Sequence, residues 1–272
     1  MNVKVGICQI KISKNKEENY KTVENAVQEV VEKGAKIIVL PECWNSPYGT
    51  ENFKEYAEYV YEYNENTIGF MSKIAKKYKI YLIGGSIPTY EIKGKTRHYN
   101  TCICYNPEGN RIGTYNKIHL FDINIKDKIK FSESDVLSHG DSPCLLHTEY
   151  GKIGIGICYD LRFPRLADVY STMKADILIY PGAFSIYTGE MHWTLLQKAR
   201  ALDNQVHVIT CSPARDMEAE YKAYGHSSVV SPWGKVIYEA DEKPQNFVIE
   251  LLEEDRKSVR EQINILKHRK NL

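Results

Sequence analysis

The chain has 272 residues, of which 43% are hydrophobic and 26% charged, so it can bury a sizeable core as an ordinary globular protein. Its net charge of +1 and the lack of an apolar run of bilayer length argue against nucleic acid or a membrane as a partner. The first residues alternate like a strand and show no signal-peptide architecture, which predicts a cytoplasmic protein whose seven cysteines are reduced thiols.

The first half of the chain alternates apolar strand patterns with amphipathic helix patterns. Strands are predicted over residues 3–10, 36–40 and 80–87, and a hairpin is predicted to turn at residues 107–110. A helix is predicted to start at a capping box of Asn15 and Glu18 and to end at Gly34, and another is predicted over residues 52–78. Residues 121–143, which include the polar sequence FSESD, are predicted to form a long irregular loop, and such loops are uncommon unless they are functional.

The second half repeats this order of strands and helices. Strands are predicted over residues 152–157, 175–180, 206–211 and 246–251, helices over 163–174 and 190–204, and a hairpin over 226–240. The sequences KIIVLPECW and DILIYPGAF also echo each other between the halves. The pattern predicts an α/β fold with two facing sheets and helices outside, in a single domain spanning residues 1–272.

Three predicted strands bring a charged or nucleophilic side chain to their ends. Cys158 follows the apolar run KIGIGI in the sequence GIGICYDLRFPR, Glu42 follows IIVLP, and Lys117 follows the second strand of a hairpin. Taken singly, each has an ordinary interpretation, because free cysteines are often buried structural residues and most glutamates and lysines are solvated. Taken together, a glutamate, a lysine and a cysteine form a workable unit for acyl transfer, provided that the fold assembles them.

The chemistry of this unit depends on shifted pKa values. With reference pKa values of about 8.5 for a thiol and about 4.3 for a glutamate, proton transfer from the thiol to the carboxylate is uphill by roughly 6 kcal/mol. Burial of the glutamate raises its pKa, and a nearby ammonium stabilises the thiolate. Both effects lower the cost of forming the nucleophile, which is why a buried site is expected.

Several motifs of this chain together resemble the nitrilase superfamily of carbon–nitrogen hydrolases over almost the whole length. The catalytic glutamate, lysine and cysteine of that superfamily correspond to Glu42 in IIVLPECW, Lys117 in YNKIHLF and Cys158 in GICYDLRFP. Within the superfamily the chain is most similar to the omega-amidase branch. The motifs that carry this likeness are PECWNSPYGT, HYNTC, KIHLFDI, FSESD, YPGAF, DNQVHVITCSPARD and GHSSVVSPWG.

The resemblance implies a four-layer αββα sandwich that pairs into homodimers through one face. It implies that Glu42 takes the thiol proton, that Cys158 attacks the amide carbon, and that Lys117 and the backbone N–H of Tyr159 hold the oxyanion. Glu42 then protonates the leaving ammonia and activates water to hydrolyse the thioester. Glu133, in FSES, corresponds to a second glutamate of the family that orients the lysine and the substrate amide.

The implied substrates are small omega-amides of dicarboxylates: alpha-ketoglutaramate, alpha-ketosuccinamate and succinamate. Tyr48, Arg162, Thr188 and Arg215 are expected on loops that line the substrate pocket, with the arginines as clamps for a carboxylate. Each arginine has the alternative interpretation of a structural salt bridge. No metal and no other cofactor is expected, and Cys102 and Cys104 have the wrong spacing for a zinc site.

Other functions stay open at this point. A carbamoylase or a nitrilase from another branch would share the same three catalytic residues, so only the pocket discriminates between them. A catalytically silent binding protein on the same fold is a third possibility, against which the intact triad argues. Cys43 is not expected to be the nucleophile, and His119, His192 and His226 are expected in the pocket or in hydrogen bonds rather than as a base.

The chain departs from the family at two places. Arg165 stands where the family often has a glutamate after RFP, so any salt bridge of that glutamate, including one at a dimer contact, is lost. The C-terminal sequence EQINILKHRKNL lacks the usual proline after the last helix, which leaves the path of the tail open.

Overall fold

Two β-sheets lie face to face with helices on their outer surfaces in the computed structural model, which describes residues 2–62, 64, 66–127 and 129–270. The strands are β1 Val3–Gln9, β2 Ile37–Val39, β3 Glu58–Tyr59, β4 Tyr81–Ile83, β5 Ile87–Lys93, β6 Lys95–Tyr105, β7 Arg111–Asn116, β8 Asp122–Ile125, β9 Ile129–Ser132, β10 Cys144–Thr148, β11 Gly151–Ile155, β12 Ile177–Pro181, β13 His207–Cys211, β14 Ser228–Val230, β15 Val236–Glu239 and β16 Gln245–Leu251. One sheet has the order β16-β1-β2-β4-β6-β5-β3 with β7 beside β6, and the other runs β10 to β15 in sequence order. In each sheet the central strands are parallel, so their carboxyl ends lie at one edge.

Helices cover the outer faces of both sheets. They are α1 Lys16–Glu32, α2 Thr50–Tyr56, α3 Thr67–Tyr78, α4 Pro164–Thr172, α5 Ile186–Asn204, α6 Glu253–Gln262 and α7 Ile265–His268, and 3₁₀ turns span Glu133–Asp135 and Cys158–Arg162. Among the described residues, every helix is too short or too polar to cross a lipid bilayer.

Alternating side chains of the central strands separate two cores. Ile37 and Val39 belong to the core between the sheets, where they join Ile177 of the second sheet. Ile38 points the other way and packs in a second core with Val27 of α1. Since successive strand residues face opposite sides of a sheet, these apolar runs are buried on both faces. The layers are helix, sheet, sheet and helix, which confirms the predicted αββα sandwich.

The helix predicted over residues 52–78 is wrong, because α2 ends at Tyr56 and α3 begins only at Thr67. Between them Glu58 starts the short strand β3 and is buried, where it accepts hydrogen bonds from Lys16 and Thr67. The side chain of Asn66 caps α3 by accepting a hydrogen bond from the N–H of Gly69. Buried polar contacts therefore override the helical pattern. Residues 63 and 65 of the predicted helix lie outside the described part of the chain.

Two further expectations need correction. The strand predicted over 80–87 is two strands, since β4 ends at Ile83 and β5 starts at Ile87. Gly85 between them has φ +64, and a Cβ there would lie 2.1 Å from the carbonyl oxygen of Pro41, so only glycine lets this turn approach the chain next to Glu42. The predicted loop over 121–143 contains the hairpin β8–β9 and a 3₁₀ turn, consistent with the alternating residues of DINI; residue 128 lies outside the described part.

At the start of α1, Asn15 caps the helix by accepting hydrogen bonds from the N–H groups of Glu17 and Glu18. The capping box is nevertheless wrong in its second half, because the carboxylate of Glu18 binds the hydroxyl of Ser13 instead. The other predicted strands, helices and hairpins agree with the structure apart from their ends, the largest difference being α5, which starts at Ile186 and is capped by Ser185.

The path of the C-terminal tail follows α4 and α5. After α6 and α7 the guanidinium of Arg269 pairs with Asp168 of α4 and also donates to the carbonyl oxygen of Asp203 in α5. Arg165 is exposed in the first turn of α4. The tail thus packs against the helices of the second sheet without the proline that the resemblance led us to expect.

Acid is expected to destabilise the fold through His207 on β13, which is 2% exposed with Nε2 3.5 Å from Oδ2 of Asp255. Burial lowers the pKa of His207 from 6.5 to about 4, although Asp255 opposes the shift. Because the unfolded chain binds this proton more tightly, His207 stabilises the fold above pH 6.5 and this contribution is lost as the pH falls toward 4. We expect a loss of about 2 kcal/mol between pH 7.5 and 5, measured by urea denaturation. His207→Gln should remove this part of the slope, and an unchanged slope would contradict the assignment.

Candidate active site

The three predicted catalytic side chains meet between the two sheets. Glu42 follows β2, Lys117 directly follows β7, and Cys158 starts the 3₁₀ turn that follows β11. Glu42 and Lys117 are 0% exposed and Cys158 is 2% exposed. Residues separated by 75 and by 41 positions are therefore brought to one buried point, as the triad hypothesis requires.

The carboxylate of Glu42 is held by four donors. Its Oε1 accepts hydrogen bonds from Nζ of Lys117 at 3.0 Å and from Nδ2 of Asn100 at 2.9 Å, and its Oε2 accepts one from the backbone N–H of Ala183 at 2.7 Å. The thiol of Cys158 also donates to this carboxylate. Glu42 is thus oriented on three sides and faces the thiol on the fourth, which is the geometry of a base for Cys158.

Lys117 lies between two buried carboxylates. Its Nζ is 3.0 Å from Oε1 of Glu42 and 2.9 Å from Oε2 of Glu133. Glu133 is fixed in turn by the hydroxyl of Tyr48 at 2.9 Å and by the N–H of Phe121 at 2.7 Å. Burial by itself lowers the pKa of Lys117, but the charges of Glu133 and Glu42 outweigh it and hold the pKa well above its usual value. Lys117 is therefore a permanent cation in the site.

The electrostatics keep the thiol protonated before substrate binds. Burial raises the pKa of Cys158 well above its usual value, the charge of Glu42 raises it further, and Lys117 opposes both. Burial also raises the pKa of Glu42, against the opposing charge of Lys117. A thiol that holds its proton at rest would pass this proton to Glu42 as it attacked a substrate.

Cys158 sits on a strained backbone. Its φ of +46° lies in the left-handed region, which residues other than glycine rarely adopt. The turn fits because Gly182 is adjacent: a Cβ there would lie 3.0 Å from the Cα of Cys158. The N–H of Tyr159 is among the first donors of the 3₁₀ turn, which have no partner within the turn itself. This places a backbone donor next to Cys158, which is the arrangement that an oxyanion site requires.

A cavity of about 750 Å³ reaches Glu42 from the surface, and the buried residues Ser46 and Ala183 also line it. A second cavity of about 500 Å³ lies nearby, and Tyr48 and Tyr221 line both. The rings of these two tyrosines are 4.5 Å apart, and Tyr221 donates a hydrogen bond to the carbonyl oxygen of Ala183 at 2.7 Å. The two tyrosines therefore form the wall next to the triad.

The four predicted substrate residues do not all come together. Tyr48 lines both cavities, and Arg162 lies four residues after Cys158 with its guanidinium 4.7 Å from the ring of Phe184. Arg162, Thr188 and Arg215 line neither of these two cavities. The hydroxyl of Thr188 is 3.0 Å from that of Ser185, and Arg215 donates to the carbonyl oxygen of Tyr224 at 2.9 Å. Thr188 therefore stabilises the start of α5, and Arg215 stabilises the loop that contains Tyr224.

The histidines and the second cysteine near the site make other contacts. His119 binds Asp160, His192 accepts a hydrogen bond from Arg162, and His226 stacks on Tyr224 at 4.2 Å. Cys43 is buried next to Ser86, whose hydroxyl accepts the N–H of Cys43 at 3.1 Å. The thiols of Cys102 and Cys104 lie 3.7 Å apart on one face of β6. Over residues 2–62, 64, 66–127 and 129–270, no three His, Cys, Asp or Glu side chains are grouped as metal ligands would be.

Sequence reasoning missed three parts of the site. These are the side chain of Asn100, the backbone N–H of Ala183 and the ring of Tyr221. A signal for Asn100 existed, because an asparagine within the apolar strand β6 is a buried polar group that needs a partner. Its backbone carbonyl also accepts the N–H of Lys117 at 2.9 Å, so one residue fixes both the base and the lysine. The other two contacts depend on tertiary structure alone.

Comparison with known proteins places this geometry in a family. A model of the carbon–nitrogen hydrolase family matches residues 4–261. The omega-amidase NIT2 of Danio rerio is 48% identical over 268 residues, which cover 98% of this chain and 95% of the relative. The human omega-amidase NIT2 is 45% identical with the same coverage.

A solved structure agrees with these relatives. The crystal structure of Saccharomyces cerevisiae Nit3, a member of branch 10 of the nitrilase superfamily, superposes with a TM-score of 0.91 at 40% identity. The superposition covers 99% of this chain and 97% of Nit3. From the family model, the relatives and this fold, the chain belongs to the carbon–nitrogen hydrolase family, within the nitrilase superfamily.

Proposed function

We propose that this protein is an omega-amidase that releases ammonia from small omega-amides of dicarboxylates, above all alpha-ketoglutaramate, alpha-ketosuccinamate and succinamate. The observation that carries the proposal is the buried contact of the Cys158 thiol with Glu42, with Lys117 3.0 Å from the same carboxylate. The relatives named omega-amidase, 45% and 48% identical to this chain, support the choice of substrate class. The cavity at Glu42 gives such an amide a path to the site.

The proposed reaction starts when Sγ of Cys158 bonds to the amide carbon while its proton moves to Glu42. Lys117 and the N–H of Tyr159 stabilise the oxyanion. Glu42 gives the proton to the leaving nitrogen, the C–N bond breaks, and ammonia leaves a thioester on Cys158. Glu42 then takes a proton from water as the water oxygen attacks the thioester, and it returns that proton to the thiolate. Glu133 keeps Lys117 in place throughout.

Arg162 is the proposed clamp for the distal carboxylate of the substrate. Its guanidinium is half-buried between the rings of Tyr159 and Phe184, and burial lowers its pKa. Among the described residues no carboxylate forms an ion pair with Arg162, and its charge interacts with Cys158 and Tyr221. A half-buried cation next to the nucleophile and without a protein anion favours an anionic substrate, and a fixed carboxylate would orient the amide toward Cys158.

The substrate panel tests this proposal. We expect kcat/KM for alpha-ketoglutaramate and succinamate to exceed that for butyramide, glutamine and a carbamoyl amino acid. Arg162→Gln should lower kcat/KM for the omega-amides about a hundredfold, because it leaves the substrate carboxylate without its charged partner. The same change should alter hydrolysis of butyramide little. Arg215→Gln, whose guanidinium binds Tyr224, is the matched control and should not discriminate between the two classes.

The panel also distinguishes the alternatives. A carbamoyl amino acid or a nitrile as the best substrate would assign the protein to another branch of the superfamily and leave the thiol mechanism intact. Absence of turnover on every amide, with Cys158 inert to alkylation, would favour the silent binding protein. The ion pair of Lys117 with Glu42, which lines the cavity, supports an enzyme over a silent binding protein, and the relatives named omega-amidase support this branch over the others.

We further propose a homodimer whose subunits pair through the outer face of α5. A stripe of exposed apolar side chains runs along this helix and continues onto the neighbouring hairpin, where Gly234 approaches the side chain of Leu202. The stripe consists of Met191, Leu195, Leu202, Trp233 and Ile237. A contiguous apolar stripe at helical spacing is typical of a surface covered by another protein, and a second copy of the chain would cover it symmetrically.

Light scattering tests the dimer. We expect a mass twice the 31.3 kDa of the chain, and Leu195→Glu, at the most exposed point of the stripe, should convert the protein to a monomer. Ile92→Glu on β5, an equally exposed apolar position outside the stripe, is the control and should stay dimeric. A monomeric wild-type protein would overturn this proposal without affecting the catalytic one.

Two organisational predictions accompany these proposals. We propose a single domain over residues 1–272, supported by the antiparallel pairing of β1 with β16, which joins the two ends of the described chain in one sheet. A cytoplasmic location stays a prediction, and the seven free thiols are compatible with its reducing environment.

A further inference from the structure

Asp160 is a fully buried carboxylate two residues after the nucleophile, and it accepts four hydrogen bonds. Its Oδ1 accepts the backbone N–H of His119 at 3.0 Å and Nδ1–H of the same residue at 2.7 Å. Its Oδ2 accepts the hydroxyl of Tyr115 at 2.7 Å and the N–H of Ile157 at 2.9 Å. Two donors on each oxygen use the full accepting capacity of a carboxylate, so Asp160 is fixed in position.

The donors to Asp160 come from both sides of the catalytic site. Tyr115 and His119 flank Lys117 at alternate positions along the end of β7 and the residues that follow it. Ile157 directly precedes Cys158 after β11. One carboxylate therefore ties the segment that carries the lysine to the turn that carries the nucleophile, although it touches neither Lys117 nor the thiol.

Asp160 also closes the strained turn. Its own backbone N–H donates to the carbonyl oxygen of Ile157 at 3.0 Å, while its side chain accepts the N–H of Ile157. These two hydrogen bonds enclose Cys158, whose φ of +46° costs free energy, and Tyr159. Such a conformation persists only where the surroundings determine it strongly, and Asp160 supplies that constraint.

We propose that Asp160 is a positioning residue that sets the geometry of Cys158 and of the Tyr159 N–H relative to Lys117. The proposal rests on the proposed thioester chemistry, because both halves of the oxyanion site, the ammonium and the backbone N–H, are aligned through this one carboxylate. Asp160 acts through its neighbours and does not itself exchange a proton with the substrate. A misplacement of about 1 Å at such a site lowers the rate roughly a hundredfold.

Asp160→Asn tests the proposal, since the amide keeps the shape but turns one accepting atom into a donor that faces two donors. We expect kcat for succinamate to fall about a hundredfold while KM changes less than about threefold, measured well below the melting temperature of the variant. Tyr115→Phe removes one of the four donors and leaves the carboxylate, so a smaller loss of kcat is expected. In the Asp160→Asn background, Tyr115→Phe should cause little further loss because it acts through Asp160.

Tyr180→Phe is the matched control. The hydroxyl of Tyr180 is also fully buried, but it has no hydrogen-bond partner among the described residues, so its removal should leave kcat unchanged. If Asp160→Asn does not fold, the comparison of Tyr115→Phe with Tyr180→Phe decides the question. Equal kcat in these two variants would overturn the proposal.

The pH dependence of Cys158 alkylation separates positioning from a merely structural role. Lys117 lowers the pKa of Cys158, so a turn that shifts away from Lys117 should alkylate only at higher pH. We expect this upward shift in Asp160→Asn and no shift in Tyr180→Phe. A lower melting temperature with wild-type kcat and an unchanged alkylation profile would show that Asp160 is structural only. Because alkylation needs no amide substrate, this result stands even if the wild-type enzyme fails on omega-amides.

Discussion

Replacing Cys158 by alanine is expected to abolish amide hydrolysis, with a fall in kcat of at least about 10⁴-fold. The alanine removes the atom that forms the covalent bond, while Glu42, Lys117 and the Tyr159 N–H keep their places. The side chain is small and 2% exposed, so the variant should fold and still bind substrate in the cavity. Ammonia release from succinamate, with binding followed by calorimetry, measures both parts of this prediction.

Cys43→Ala is the control for that experiment. Cys43 neighbours Glu42 in sequence and is equally buried, but its backbone and thiol face Ser86. We expect the variant to keep most of its activity. If Cys43→Ala lost activity while Cys158→Ala retained it, the assignment of the nucleophile would be wrong, whatever the family.

Replacing Lys117 by alanine is expected to have the second large effect on catalysis. We expect kcat to fall by about 10²- to 10³-fold, the usual consequence of losing one oxyanion donor. The pKa of Cys158 should rise further, because Lys117 is the charge that lowers it. Kinetics across pH together with the alkylation rate of Cys158 measure both effects. Lys93→Ala, at an exposed lysine that pairs with Glu91, is the control and should change neither.

The same change should alter stability in a pH-dependent way. Without Lys117 the carboxylates of Glu42 and Glu133 remain buried without a cation, which typically costs about 3–5 kcal/mol. Burial raises the pKa of Glu42 and Lys117 opposes that shift, so without Lys117 this pKa rises further and the folded protein binds more protons than the unfolded one near neutral pH. The variant should therefore be more stable at pH 5.5 than at pH 8. Near-normal turnover in Lys117→Ala would contradict the oxyanion role.

The sequence predicted the meeting of Glu42, Lys117 and Cys158 better than the contacts around them. Cys158 was recognisable because a buried strand ends on a thiol followed by polar residues, and the resemblance joined it to Glu42 and Lys117. Each of the three follows a strand, which is a local feature of the sequence, but Lys117 follows the antiparallel strand β7, so the parallel strands alone do not bring the three together. The contacts that orient them are not local: Asn100 reaches Glu42 across 58 positions and the N–H of Ala183 across 141. No pattern in one segment encodes such a pair.

In the fold, too, local patterns were predictable and long-range contacts were not. The alternation of Ile37, Ile38 and Val39 between two cores follows from the strand period, so the sandwich was predictable. The break between α2 and α3 was not, since it depends on the buried contact of Glu58 with Lys16, a residue of another helix. The pocket is the least predictable part. Motif likeness brought Thr188 and Arg215 into the prediction, yet their polar groups bind nearby loops rather than lining either cavity.

The central claim is that Cys158 carries the acyl group during turnover. Acid quenching of the enzyme during hydrolysis of succinamate, followed by peptide mass spectrometry, tests it most directly. We predict a mass increase equal to the succinyl group on the peptide that contains Cys158, and no increase on the other cysteines. Cys144, more exposed than Cys158, serves as the internal control for labelling by accessibility alone. An adduct on Cys43 or Cys144, or turnover without any adduct in every quench, would contradict the account.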